Sequence, residues 1–167
     1  MIVRRVGVLG CGLMGAGIAE VCAGAGYETI VREVSEDLLQ KGLQRIRQSL
    51  DRAVEKGRLT AAERDAASAR LSGAVALDQL AGCDLVIEAI VEHLEEKRQT
   101  FVALDALLSA PALIASNTSS LTITQLAAAT RRPDRVLGLH FFNPVPAMKL
   151  VEVVRTLLTG DDAFATA

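Results

Sequence analysis

The sequence predicts a doubly wound α/β fold, a mostly parallel sheet with helices on both faces. Three observations carry that prediction. Short β-branched apolar runs alternate with helical patterns along the chain. The first run, around Val6, Val8 and Leu9, breaks at Gly10, Gly12 and Gly15, and an apolar helix follows at once. The stretch Asp84 to Ile90, DLVIEAI, reads as a strand buried within a parallel sheet.

The elements follow in order. A helix from Leu13 to about Gly24 is apolar on most sides, as packing on a sheet requires, and Gly24 and Gly26 end it. A strand at Thr29 to Val31 runs into Glu33. Ser35 then caps a helix, with Glu36 and Asp37 in its first turn, that reaches about Lys56. Thr60 and Glu63 make a capping-box pattern for a helix to about Arg70. A strand at Ala74 to Leu77, a helical turn from Asp78 and the DLVIEAI strand come next. An amphipathic helix spans Leu94 to Leu108, closed by Ser109 and Pro111. A strand at Ala112 to Ala115 leads into the polar cluster Ser116 to Ser120. Thr122 caps a helix to about Thr130, and strands at Arg135 to His140 and Lys149 to Val154 finish the pattern. Thr159, Asp161 and Asp162 start one more helix.

Composition narrows the function. Half of the 167 residues are hydrophobic but only 3% are aromatic, so the core is aliphatic and stacking platforms for single-stranded nucleic acid are not expected. A net charge of −2 argues against a polyanion such as DNA as the main partner. No apolar run is long enough to span a bilayer. The first residues, MIVRRVGVLG, run straight into a strand and do not read as a signal or transit peptide. Cys11, Cys22 and Cys83 lack metal-ligand spacing and are expected to be reduced structural thiols in a cytoplasmic protein.

In a doubly wound sheet, ligands bind beyond the carboxyl ends of the strands. That edge should collect the glycine turn, Glu33, Glu88 to Glu92, Ser116 to Ser120, and His140 to Asn143. Gly10 permits the tight turn, Gly12 leaves room for a pyrophosphate at the helix N-terminus, and Gly15 allows helix and strand to approach. Glu33 lies where this fingerprint expects an acid for the adenosine ribose. Arg32 could attract a 2′-phosphate, but strand neighbours point to opposite faces, which favours NAD over NADP. His140 ends a strand and has Glu152 on the next one. A carboxylate beside an imidazole fixes one tautomer and stabilises its charged form, which suits a general base beside a nicotinamide. Ser119 and Asn143 could hold the reacting oxygen or the cofactor, and Ser119 could equally serve the helix start near Thr122. On the helix after Ser35, Lys41, Arg45, Arg52 and Lys56 fall within ~60° of one another. That stripe is either a solvated face or a surface for the phosphates of a charged substrate handle.

The motifs GCGLMGAGIA, DLVIEAIVE, ASNTSSL and above all GLHFFNPVPAMKLVEV resemble the N-terminal, Rossmann-type domain of the L-3-hydroxyacyl-CoA dehydrogenase family, over essentially the whole chain. The resemblance implies NAD-dependent interconversion of L-3-hydroxyacyl-CoA and 3-ketoacyl-CoA, with short substrates such as 3-hydroxybutyryl-CoA, in fatty-acid β-oxidation. It implies His140 as base, Glu152 as its orienting partner and Ser119 on the substrate oxygen. The implied cofactor surface comprises Gly10, Gly12, Leu13, Met14, Gly15, Glu33, Ala89, Glu92, Lys97, Asn117, Ser119 and Asn143. Glu33 stands where the family usually has Asp. Ser49 and Lys56 match coenzyme A-contacting positions, beside Ser119 and Asn143 for the acyl end. The family continues into a helical domain that supplies the homodimer contact and a wall of the acyl pocket. A chain ending at Ala167 is therefore expected to keep the cofactor half and to expose apolar surface. Two other readings stay open: an NAD(H)-binding module without turnover of its own, and a related sugar-acid dehydrogenase on the same scaffold.

Overall fold

The computed structural model describes residues 1–167. Seven strands form one sheet: β1 (Arg5–Leu9), β2 (Glu28–Arg32), β3 (Leu71–Ala74), β4 (Leu85–Glu88), β5 (Leu113–Ser116), β6 (Val136–Phe141) and β7 (Val151–Val154). Their order is β3-β2-β1-β4-β5-β6-β7, and every neighbouring pair is parallel except β6 with β7. The order reverses direction at β1 and β4, so a crevice opens where their carboxyl ends diverge.

The helices are α1 (Leu13–Gly24), α2 (Glu36–Glu55), α3 (Ala61–Ala69), α4 (Leu94–Leu107), α5 (Ile123–Ala127) and α6 (Asp161–Thr166). One face of the sheet packs Val6, Val8, Val31 and Ile87 against Ile18, Leu39, Ile46 and Leu50 from α1 and α2. The other packs Leu9, Val86, Ile114 and Val136 against Phe101, Leu104, Ile123 and Leu126 from α4 and α5. The core is aliphatic, as the composition requires, with Phe101 its one fully buried aromatic ring. Fully burying such a side chain contributes about 1.5–3 kcal/mol.

Local signals explain two of the helix starts. The Ser35 hydroxyl accepts the Leu38 N–H at the start of α2, and Thr60 with Glu63 forms the complete capping box of α3. No helix is long and apolar enough to cross a membrane.

Several boundaries differ from the sequence reading by a residue, as at β2, β5 and β6, and four others differ for a reason the fold supplies or by more. The third strand is Leu71–Ala74, not Ala74 to Leu77, because parallel pairing with β2 sets it: Thr29 faces Leu71 and Arg32 faces Ala74. Its Ser-Gly centre looks like a turn, and only a neighbouring strand makes it extended. The buried strand β4 stops at Glu88, two residues early, where the chain turns beneath the glycine loop. The helix α5 ends at Ala127 rather than Thr130, and Thr122 makes no side-chain cap bond to it. The last strand begins at Val151, not Lys149, since only Val151 to Val154 pair with β6.

Candidate active site

The glycine turn forms the floor of the crevice. Gly10 has φ +94°, a conformation that disfavours side chains, and a Cβ there would lie 2.7 Å from the Ala89 carbonyl oxygen. A Cβ on Gly15 would fall on the Gly10 carbonyl oxygen, whereas one on Gly12 would meet nothing. The open side of Gly12 therefore faces the first turn of α1, whose leading N–H groups have no partner within the helix. Leu13 stands exposed at that turn, and Met14 points toward the next cleft.

Beside the turn lies an open cleft of about 640 Å³, lined among others by Gly10, Gly12, Glu33, Val34, Ala89 and Val91. One Glu33 oxygen accepts the Cys11 N–H at 2.6 Å and the other accepts the Val34 N–H at 3.0 Å. The carboxylate is thus locked at the cleft edge with lone pairs to spare. Arg32 was expected on the opposite face, but it lines the same cleft. β2 ends at Arg32, so strand alternation no longer governs Glu33. The Arg32 Nε donates to the Val75 carbonyl at 2.9 Å.

The next cleft, of about 390 Å³, is lined by Met14, Ala89, Glu92, Lys97, Asn117, Ser119, His140 and Asn143, together with Ile90 and two phenylalanines. Antiparallel pairing sets His140 directly opposite Glu152. The His140 Nδ1 lies 2.8 Å from Glu152 Oε2. An ionised carboxylate accepts from Nδ1–H, which leaves the Nε2 lone pair for the cleft. The Phe142 ring leans on the imidazole, with centroids 4.6 Å apart. The Asn117 side-chain oxygen accepts the Phe141 N–H at 2.9 Å and so ties the end of β5 to that of β6. Ser119 lines the cleft and makes no hydrogen bond within the chain, and the turn at Thr118 supplies the local capping instead: its hydroxyl accepts the N–H groups of Ser120 and Leu121.

Behind this mouth is a network that sequence reasoning placed only in part. Lys97, expected on the cofactor surface, is 1% exposed. Its Nζ donates to Glu88 Oε1 at 2.5 Å and lies 3.2 Å from Glu92 Oε2. Glu88, wholly buried, also accepts the Ile90 N–H at 2.8 Å and the Ser116 hydroxyl at 2.7 Å. Glu92 accepts the hydroxyls of Thr118 and Ser120. Burial pushes the Glu92 carboxyl up, but those hydroxyls and the Lys97 ammonium outweigh it and hold the group below the usual carboxylate range. The available signal was an acid inside an apolar strand, DLVIEAI, with a lysine nine residues on.

A third cleft, of about 580 Å³, opens across the loop between β6 and β7, whose Asn143–Pro144 peptide is cis. Ser49, Arg52, Lys56 and Arg58 line it beside Pro144 and Pro146. The basic stripe of α2 therefore divides: Arg52 and Lys56 face this cleft, while Arg45 donates to the Cys11 carbonyl at 3.1 Å. Arg58 and Glu20 escaped the sequence reading. The Ser49 hydroxyl donates to Glu20 at 3.0 Å, and burial raises that carboxyl. The three cysteines are free and buried, and burial raises Cys11 and Cys83 to about 11 and Cys22 to about 12, so all are protonated thiols.

A glycine turn at a helix N-terminus, an acid at the end of the second strand and a cleft at the strand-order reversal define a dinucleotide-binding domain of the doubly wound class. Residues 5–167 match the family model described as the NAD-binding domain of 3-hydroxyacyl-CoA dehydrogenase. The chain belongs to that family, whose cofactor is NAD. It is 52% identical over 164 residues to 3-hydroxybutyryl-CoA dehydrogenase of Mycobacterium tuberculosis, covering 98% of this chain and 57% of that protein. It superposes on the crystal structure of M. tuberculosis FadB2 with a TM-score of 0.97 at 50% identity, covering 99% of this chain and 59% of the other. With (S)-3-hydroxybutyryl-CoA dehydrogenase PaaH1 from Ralstonia eutropha the TM-score is 0.95 at 44% identity, over 98% and 58% of the two chains. The chain thus spans a little over half the length of these relatives.

Proposed function

We propose that this domain is the cofactor-binding and proton-transfer half of an NAD-dependent 3-hydroxyacyl-CoA dehydrogenase acting on short acyl chains. The His140–Glu152 pair, with His140 lining a cleft that shares Ala89 and Ile90 with the cleft beside the glycine turn, is the observation that carries this reading. The site fits the cofactor. The first turn of α1 and Gly12 would hold the pyrophosphate, Glu33 the adenosine ribose, and Ala89, Asn117, Ser119 and Asn143 the nicotinamide end. Bound NAD supplies the acceptor for the hydride that leaves the substrate's third carbon.

The chain's own residues do the rest. Ser119 holds the substrate hydroxyl. His140 Nε2 takes its proton as the carbon–hydrogen bond breaks, and Glu152 stabilises the imidazolium that results. The third cleft supports a charged handle, because Arg52, Lys56 and Arg58 lie across one loop from His140. Coenzyme A phosphates suit that position. Buried free thiols suit a reducing, cytoplasmic compartment.

The test compares NADH titration with oxidation of 3-hydroxybutyryl-CoA and of free 3-hydroxybutyrate, with and without any sequence that continues beyond Ala167. His140→Ala and Glu152→Ala should each lower turnover by about 10²–10⁴ and leave NADH affinity nearly unchanged. Undiminished turnover in both variants would overturn the proton-transfer role. Faster oxidation of the free acid than of the thioester would favour the sugar-acid dehydrogenase reading. NADH binding without turnover in every form would leave a binding module.

A further inference from the structure

The cluster behind the His140 mouth contains two carboxylates and one ammonium, so it carries one negative charge in excess. Glu88 and Lys97 are both buried and in contact, and their charges cancel. Glu92 and Lys97 both line the mouth, but Glu92 is the open one, with its side chain 42% exposed against 1% for Lys97. Without Glu88, the Lys97 ammonium 3.2 Å away would neutralise Glu92 instead. The geometry also fixes the arrangement in space. Glu88 spends its other acceptor sites on the Ile90 N–H and the Ser116 hydroxyl, which ties β4, β5 and α4 together at the rim.

The nicotinamide ring is a cation when oxidised and neutral when reduced. A fixed negative charge near it favours the first form over the second, and the effect is strong where water is excluded. We propose that Glu88, Lys97 and Glu92 form a charge-setting cluster that makes the mouth favour the oxidised nicotinamide ring over the reduced one. Glu88 is a positioning residue in this device: it touches neither cofactor nor substrate, and it frees Glu92 by neutralising Lys97. The inference rests on the nicotinamide end lying in the His140 cleft, as proposed above. The other titratable groups at that mouth, His140 with Glu152 behind it, are common to every variant below and cancel in the comparison.

The experiment measures dissociation constants for NAD⁺ and NADH side by side on the wild-type protein and on Glu92→Gln, Glu88→Gln and Glu88→Gln/Lys97→Met. Each single variant removes one negative charge. Each should lower the preference for NAD⁺ over NADH by about tenfold, as expected of one charge acting over about 10 Å near a protein surface. The double variant returns the cluster to one excess negative charge and should restore the wild-type preference. Loss of affinity for both nucleotides in equal measure would show the cluster to be structural and overturn the proposal, as would failure of the double variant to restore the preference. If Glu88→Gln does not fold, Glu92→Gln at the exposed end decides alone, since an unchanged preference there removes the charge effect. A wild-type protein that binds neither nucleotide would instead overturn the cofactor placement itself, and this inference with it.

Discussion

Asp105 shows how one buried carboxylate can close a helix. It sits on α4 and accepts the Arg131 N–H at 3.0 Å, Arg131 Nε at 3.1 Å and Arg132 Nε at 2.7 Å. Arg132 also donates to the Leu108 carbonyl at 2.8 Å and to those of Asp105 and Ser109, which satisfies the last turn of α4. Burial pushes the Asp105 carboxyl up, but the bonds from Arg132 and Arg131 outweigh it and hold it below its ordinary value. A depressed folded value means that the stabilisation is complete above the unfolded value, about pH 4, and is lost as pH falls through the lower folded one. Asp105→Asn should therefore cost about 2–3 kcal/mol at pH 7 and progressively less in acid. Urea denaturation at pH 7 and pH 3 measures this, and an equal loss at both would exclude the charge as the cause.

At the scale of elements, the helix α1 does more than present N–H groups. A Cβ on Gly17 would lie 2.8 Å from Val145 Cβ and 3.5 Å from Pro146 Cδ. The bare backbone of α1 thus seats the loop that carries Asn143 into one cleft and Pro144 and Pro146 into another. Gly17→Ala gains up to about 1 kcal/mol of helix propensity, but overpacking against buried Val145 costs about 1–3 kcal/mol. The clash should win, with a lowered melting temperature, and Val145→Gly, which removes the clashing Cβ, should cost less in the Gly17→Ala chain than in the wild type. Independent, additive losses would mean that the two residues do not press on each other.

Gly17 also marks where sequence reading stopped. Gly10, Gly12 and Gly15 were legible because their spacing serves a local turn, and His140 with Glu152 because two strand ends flank a proline loop. The Gly17–Val145 approach joins residues far apart in sequence, and nothing near Gly17 announces it. The Glu88–Lys97 pair and the Leu71–Ala74 strand were missed for the same reason: each takes its meaning from a neighbour that only the folded sheet supplies. Arg32 was misjudged because strand alternation was carried one residue past the end of the strand.

For the whole molecule, the two edges of the sheet are unequal. The β3 edge carries the small residues Ser72, Gly73 and Ala74, and a glycine inside a strand weakens its pairing with another strand. The β7 edge is apolar, and its surroundings expose Leu150, Val154, Leu158 and, completely, Leu157. Exposed apolar side chains beside an unpaired strand drive association, because burying them against a second copy removes them from water. The 167-residue chain should therefore self-associate as its concentration rises, with a mass above that of the monomer in light scattering coupled to size-exclusion chromatography. Leu157→Ser with Leu158→Ser should return it toward the monomer. Neither residue lines the clefts around Gly12 or His140, so NADH affinity should not move. A monomeric wild-type chain at every concentration would show that the apolar surface around β7 is too dispersed to drive association. Association that persists in the double variant would place the driving force in the exposed backbone of the β7 edge.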